Sequence, residues 1–371
     1  MNPFRTHHLV AIFTLFETHK GPLDLFLSHY FRTHKSVGAQ DRRWISETVY
    51  GMVRMRGLID HLATKPVSWE SRLQVYLNLS DYPLDRVPPH IRVSFPKQLF
   101  ELLTTAYPEE QALEICRVSN TQAPLTLRAN ELKTDREALL ALWKGVYGAQ
   151  ACHLSPTGIH LEKRANFFAM DEFKEGLFEV QDEASQLVAN LLEPKEGDQI
   201  LDFCAGAGGK TLAFAPQTRG GQIYLHDIRP RALEEAKKRL RRAGVQNCQL
   251  LHYDDPKKKR LRGKMDWVFV DVPCTGSGTL RRNPDMKWKF NKEALPNLIE
   301  EQRRIFEEAL SFLKQKGTII YATCSLLPQE NQEQTAYFQE KFSLSLVKEP
   351  FQSIPTERGM DGFFGAVLKR I

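Results

Sequence analysis

From about residue 176 to the C-terminus, short and nearly continuous apolar runs alternate with amphipathic stretches. Gln199–Phe203, Gln222–Leu225, Asp266–Val270 and Thr318–Tyr321 are the clearest runs, and Pro230–Gly244 and Leu295–Leu313 the clearest helical stretches between them. A strand that is apolar on both faces must be covered on both. A parallel sheet with crossover helices on either side does this. The pattern predicts an α/β fold with a doubly wound, mostly parallel, Rossmann-like sheet over 176–371.

The chain is 371 residues long, and at about 150 residues per domain it has room for two or three. Residues 1–90 read as helical. Leu9, Ile12, Phe13 and Phe16 follow a 3.6 period, as do Leu23, Phe26, Leu27 and Tyr30. A third helix is expected after Asp41, with Ile45, Val49, Met52, Ile59 and Leu62 on one stripe. Prolines near Asp81 and Val87 mark a boundary. Residues 91–175 read as a small α+β module. It has helices over Phe95–Ala106, Pro108–Cys116 and Arg136–Trp143, and strands over Pro124–Asn130 and around His153–Leu161. In the first strand Leu125, Leu127 and Ala129 are expected inward, Thr126 and Arg128 outward.

Several classes are excluded. No run reaches the roughly 18 apolar residues of a membrane helix. The stretch Leu9–Phe16 is followed by no small-residue cleavage pattern and reads as an ordinary helix. Six cysteines are scattered without a CxxC pair, which argues against a disulfide scaffold or a zinc ribbon and suits a reducing cytoplasm. A cytoplasmic monomer without metal is expected.

The segment Gln199–Thr211 runs strand, glycine turn, helix, with Gly206, Gly208 and Gly209 letting the backbone turn tightly. A P-loop would need its first glycine at Cys204, and a dinucleotide fingerprint would need one at Thr211. A nucleoside cofactor without phosphates requires instead an acid ending the next strand to bind the ribose hydroxyls. Asp227 stands there, and Asp254, ending the third strand, would reach an adenine amino group. Asp227 could serve only as an N-cap for the helix opening at Pro230, but strand, turn and acid together favour ribose. S-adenosylmethionine is the leading candidate.

Two further strands end in loops that each hold a cysteine, Cys274 in Val268–Gly278 and Cys324 in Ile319–Asn331. In an open parallel sheet such ends form the ligand crevice, so both thiols can face one pocket. Methylating carbon 5 of a pyrimidine calls for a thiol, because a thiolate adding to carbon 6 turns carbon 5 into a nucleophile and later departs. The thiol's free pKa of about 8.5 must fall, or a base must take its proton. Asp271 could bind the cytosine amidine edge and help protonate its ring nitrogen. Cys116, Cys152 and Cys248 read as small hydrophobes or surface thiols, and Cys204 as packing beneath the turn.

These residues together closely resemble the bacterial RNA (cytosine-5) methyltransferases, most of all the type acting on 16S ribosomal RNA. The resemblance covers roughly residues 90–371, including Pro89–Pro96, Glu175–Glu183 and Asp361–Gly365, and its most specific part is the Asp-Val-Pro-Cys and Ala-Thr-Cys-Ser pair. It implies that Cys324 is the nucleophile and that Cys274 assists release of the methylated RNA. It also implies cofactor binding by Cys204, Ala205, Gly206, Ala207, Gly208, Gly209 and Lys210 and by Asp227, Asp254 and Asp271, with Lys210 reaching the target base. Many members have proline where this chain has Ala207, so a slightly more flexible loop is expected. Asp41–Gly51 resembles a NusB-type helical RNA-binding domain, short here, and the middle module an RRM-like region without a clear aromatic signature.

Charge adds a partner. The formal net charge is +6, but Arg229–Lys292 holds 18 Lys/Arg against 7 Asp/Glu, a net of +11 that leaves −5 for the rest. Within this belt Lys257, Lys258, Lys259 and Arg260, and then Arg281, Arg282 and Lys287, are expected to contact RNA phosphates, with Trp288 stacking on a base. Lys237–Arg242 reads as a solvated helix face. The same chemistry on tRNA, and a non-catalytic RNA-binding assembly factor on this fold, are the alternatives.

Overall fold

A computed structural model describes residues 2–163 and 166–371. The chain forms two units, one of 1–122 with 279–292, the other of 123–278 with 293–371. The expected boundaries at 90 and 175 do not coincide with this division.

The first unit is helical, with helices Pro3–Phe16, Leu23–Thr33, Ala39–Arg54, Arg56–Leu62, Trp69–Leu77, Lys97–Ala106 and Glu109–Ser119 among its described residues. Leu9, Ile12, Leu27, Tyr30, Ile45, Val49, Met52 and Ile59 form its core. The stripe from Ile45 to Leu62 is not one helix, because the backbone breaks at Met55. The break has a physical reason in Gly57. Its amide donates to Ser94 Oγ at 3.0 Å, and a Cβ there would meet Trp288 at 2.9 Å. Segment 279–292 is part of this unit's packing, and Trp288 lies against its core.

The second unit carries two sheets. The smaller has strands β1 (Leu125–Ala129), β2 (Ala149–Ala151), β3 (Gly158–Leu161) and β4 (Phe178–Val180) in the order β2-β3-β1-β4, all antiparallel, with helix Arg136–Tyr147 after β1. Thr126 and Arg128 of β1 are buried along with Leu127 and Ala129, while Leu125 is half-buried. Arg128 is satisfied by Gln181 Oε1 at 2.7 Å, so the expected outward face is covered.

The larger sheet has strands β5 (Gln199–Asp202), β6 (Gln222–His226), β7 (Cys248–Leu251), β8 (Met265–Asp271), β9 (Leu313–Thr323), β10 (Leu344–Leu346), β11 (Phe351–Gln352) and β12 (Phe364–Arg370). The order is β10-β12-β9-β8-β5-β6-β7, with β11 on β12. The pairs from β7 to β9 are parallel, and β12 and β10 add antiparallel at one edge. Ile200, Phe269, Ile320 and Val367 pack on one face, and Leu201, Val268, Val270, Ile319 and Tyr321 on the other. The helix expected to reach Leu313 stops at Leu310, because Leu313 already pairs with Met265 in the sheet. Strand order reverses between β5 and β8, so the crevice opens at the C-terminal ends of these strands.

Candidate functional site

Five strand ends supply the site. The turn after β5 is held by the Ala205 amide on His226 O at 2.9 Å and the Gly208 amide on Ala205 O at 2.8 Å. Gly206 (φ 54°) and Gly208 (φ 76°) are left-handed, and a Cβ on Gly208 would stand 3.2 Å from Ala236 Cβ. Glycine is thus required both by conformation and by the approach of helix Pro230–Ala243. The Ala207 carbonyl accepts from Arg239 Nη1 at 2.9 Å, and Arg239 is held in turn by Glu179 of β4.

At the tip of β6, the buried Asp227 carboxylate accepts from the Gly206 amide at 2.8 Å and from the Arg229 amide, Nε and Nη2 at 2.9 Å each. Burial opposes its charge, but the hydrogen bonds from Arg229 and Gly206 win and hold its pKa below the usual range. The Arg229 side chain is 67% exposed. Asp254 lies exposed in the turn after β7. Asp202, at the end of β5, is 1% exposed; Oδ2 accepts from Thr211 Oγ1 at 2.6 Å, and Oδ1 has no hydrogen-bond partner among the described residues. Burial raises its pKa to about 7, against the opposing Thr211 bond.

Asp271 ends β8, and its Oδ2 accepts from Lys210 Nζ. Burial works against the Lys210 charge, yet Asp271 and, more weakly, Cys324 and Asp202 outweigh it and raise its pKa. Beyond lie the two cysteines, with Cys274 Sγ and Cys324 Sγ 3.3 Å apart. The contact with Cys324, then burial, then the nearby Glu330 charge push the Cys274 thiol well up. The turn residues Cys204–Lys210 and Asp227, and the group Lys210, Asp271, Cys274 and Cys324, are therefore each brought together.

The basic residues divide. Lys257, Lys259 and Arg260 are exposed on the short helix Lys257–Leu261. Lys258 is turned inward to His226 Nε2 at 3.0 Å and to Tyr253 O and Glu308 Oε1 at 3.3 Å. Lys287 is 1% exposed, and its Nζ donates to Arg54 O and Ser94 O at 2.7 Å and to Asn120 Oδ1 at 2.5 Å. Trp288 Nε1 donates to Val53 O at 2.7 Å. Arg281 is buried and Arg282 half-buried. The phosphate contacts expected for Lys258, Lys287 and Arg281, and the stacking expected for Trp288, do not fit these positions: protein groups already hold Lys258, Lys287 and Trp288, and Arg281 is out of reach. Arg239 and Arg242 likewise pair with Glu179 and so are not the solvated face expected of that helix.

Two sets of residues escaped the sequence reading. Asp202 and Thr211 lie inside Gln199–Thr211, where an acid at the end of the apolar run is the signal. Glu330, Gln302, Thr275 and Ser325 form a polar network behind the cysteines. Its trace in the sequence is the Glu330-Asn331 pair six residues after Cys324.

A glycine turn, an acid at the neighbouring strand tip and a crevice at the sheet's switch point define an S-adenosylmethionine-dependent methyltransferase. The donor set fits that cofactor, with no Cβ on the turn at Gly206 or Gly208 and a fixed carboxylate at Asp227. The family described as 16S rRNA methyltransferase RsmB/F matches residues 189–369, and its ferredoxin-like domain matches residues 95–167. The chain is 31% identical over 337 residues to the ribosomal RNA small subunit methyltransferase B of Proteus mirabilis, covering 88% of this chain and 76% of that protein. It is 34% identical over 282 residues to the Vibrio vulnificus protein of the same name, covering 74% and 66%. The crystal structure of PH0851 shares the fold over 100% of this chain and 99% of that one, at TM-score 0.83 and 22% identity. A methyltransferase homologue from Pyrococcus horikoshii covers 76% of this chain and 98% of its own, at TM-score 0.66 and 26% identity. The chain belongs to the 16S rRNA methyltransferase RsmB/F family.

Proposed function

We propose that this protein methylates carbon 5 of a cytosine in 16S ribosomal RNA through a covalent adduct with Cys324. The carrying observation is the pair of thiols 3.3 Å apart at neighbouring strand ends, beside the Lys210–Asp271 pair. A methyltransferase acting on an amine or hydroxyl needs no thiol at all. The Cys204–Lys210 turn, Asp227 and Asp254 would hold S-adenosylmethionine, which supplies an electrophilic methyl group when bound.

The remaining work falls to the protein. Cys324, as the thiolate, adds to carbon 6 of the cytosine as the carbon 5–carbon 6 π bond breaks, and with the ring nitrogen protonated carbon 5 becomes the nucleophile that takes the methyl group. Asp271 holds the amidine edge, and Lys210 fixes Asp271 and reaches the base. After methylation the carbon-5 proton leaves and its electrons expel the Cys324 sulfur. Cys274, a neutral thiol in the free protein, assists that release. Lys257, Lys259, Arg260 and the half-buried Arg282 are the cations assigned to phosphate contact. The test is bisulfite mapping of ribosomal and transfer RNA from cells with and without the gene. One 16S cytosine should lose protection in the deletion; loss only in tRNA, or none, overturns the reading.

A further inference from the structure

Behind the cysteines lies a buried polar network that the reaction scheme leaves unused. Glu330 is 0% exposed, yet its carboxylate is surrounded by donors. Oε1 accepts from the Thr275 amide at 2.9 Å and from Gln302 Nε2 at 2.9 Å. Oε2 accepts from Thr275 Oγ1 at 2.6 Å and from Ser325 Oγ. Its own carbonyl accepts from Tyr321 OH at 2.7 Å.

The partners are the sequence neighbours of the two thiols. Thr275 follows Cys274, and Ser325 follows Cys324. Gln302 Nε2 also donates to the carbonyl of Pro273, which precedes Cys274, at 3.0 Å. On the other side, Thr323 Oγ1 donates to Asn331 Oδ1 at 2.6 Å, and Asn331 Nδ2 donates to Ser325 O at 2.9 Å. One carboxylate therefore fastens the loop after β8 to the loop after β9. A buried carboxylate is costly unless its acceptor sites are filled, so a satisfied one fixes its donors firmly.

We infer that Glu330 is a positioning residue that sets the spacing and aim of Cys274 and Cys324. It touches neither thiol and acts through Thr275, Ser325 and Gln302. The effect on turnover rests on the cytosine-5 reading, whereas the effect on thiol spacing does not.

The experiment reads the spacing directly, on the full chain without RNA or cofactor. Diamide takes two electrons and two protons from a pair of thiols as their S–S bond forms, and is itself reduced to the hydrazine. Peptide mapping identifies the Cys274–Cys324 product among the six cysteines. Glu330→Gln keeps the side chain's size but replaces one acceptor oxygen by a donor. It should slow closure at least about tenfold. Thr275→Val removes one donor and should slow closure about threefold. A melting temperature measured alongside separates spacing from folding, since a purely structural role lowers melting and leaves closure per folded molecule unchanged. Closure at the wild-type rate in folded Glu330→Gln overturns the inference; if that variant does not fold, wild-type closure in Thr275→Val does so. On unmethylated 16S ribosomal RNA with S-adenosylmethionine, Glu330→Gln should lower kcat with KM for cofactor unchanged. Slow closure in a protein whose wild type methylates no cytosine would sink the proposed function and leave the role of Glu330 standing.

Discussion

Two basic segments that read alike in the sequence end in opposite environments. Lys257–Arg260 keeps three of its four cations in solvent. Arg281–Trp288 places Arg281 and Lys287 inside the protein and ties Trp288 to the backbone of the helical unit. The +11 belt is therefore not one polyanion surface. Charge density along a chain reports where cations are, whereas acceptors decide what they do. Three carbonyl-type oxygens around an ammonium satisfy all three of its N–H donors, and there lysine becomes a structural strut.

The largest effect that could break this comparison is at Lys287. Lys287→Ala leaves three acceptors unmet and should cost about 5 kcal/mol of stability in urea denaturation. A loss confined to RNA affinity, with unchanged unfolding, would return Lys287 to the RNA surface. Burial pushes its pKa well below the usual lysine range, with Cys116 opposing the shift and the Arg54 charge adding to it.

Asp202 sharpens the comparison from the acidic side. Its pKa is about 7 in the folded protein against an ordinary 3.8, so the native state holds the proton more tightly than the unfolded chain. Its contribution is full below pH 3.8 and is lost as pH rises through about 7. Asp202→Asn should remove this slope and gain on the order of 4 kcal/mol relative to wild type above that window. Parallel stability curves for the two proteins from pH 4 to 8 would contradict the buried, proton-holding carboxyl.

The smallest effect on stability belongs to the exposed segment. Replacing Lys257, Lys259 and Arg260 together by alanine should change folding by no more than about 0.5 kcal/mol. The same variant should flatten the dependence of RNA affinity on salt by roughly 0.7–0.9 in log–log slope per lost phosphate contact. An unchanged slope would leave these residues as solvated charge.

Much of the crevice was legible, because each part has a local cause. Apolar runs fix β5, β6, β8 and β9, and the proposed site residues stand at or just after their ends, as Asp227, Asp271, Cys274 and Cys324 do. What was not legible depends on groups distant in sequence. The helix break at Met55 goes with contacts from far along the chain, Trp288 Nε1 donating to Val53 O and the Gly57 amide donating to Ser94 Oγ. The burial of Thr126 and Arg128 follows from what covers the outer face of β1. The overrun past Leu310 arose because Phe312 and Leu313 continue the helical period while β8 claims them for the sheet. Glu330 carries no local mark of its role in the sequence. Only its four donors, from three separate segments, give it a role.

The central claim is that Cys324 forms the bond to RNA and Cys274 undoes it. The direct measurement is a denaturing gel of Cys274→Ala and Cys324→Ala incubated with 16S ribosomal RNA and S-adenosylmethionine. Cys274→Ala should accumulate a covalent protein–RNA band that nuclease collapses, and Cys324→Ala should show none and transfer no methyl group. Methylation by Cys324→Ala, or an adduct mapped to Cys274, would contradict the account.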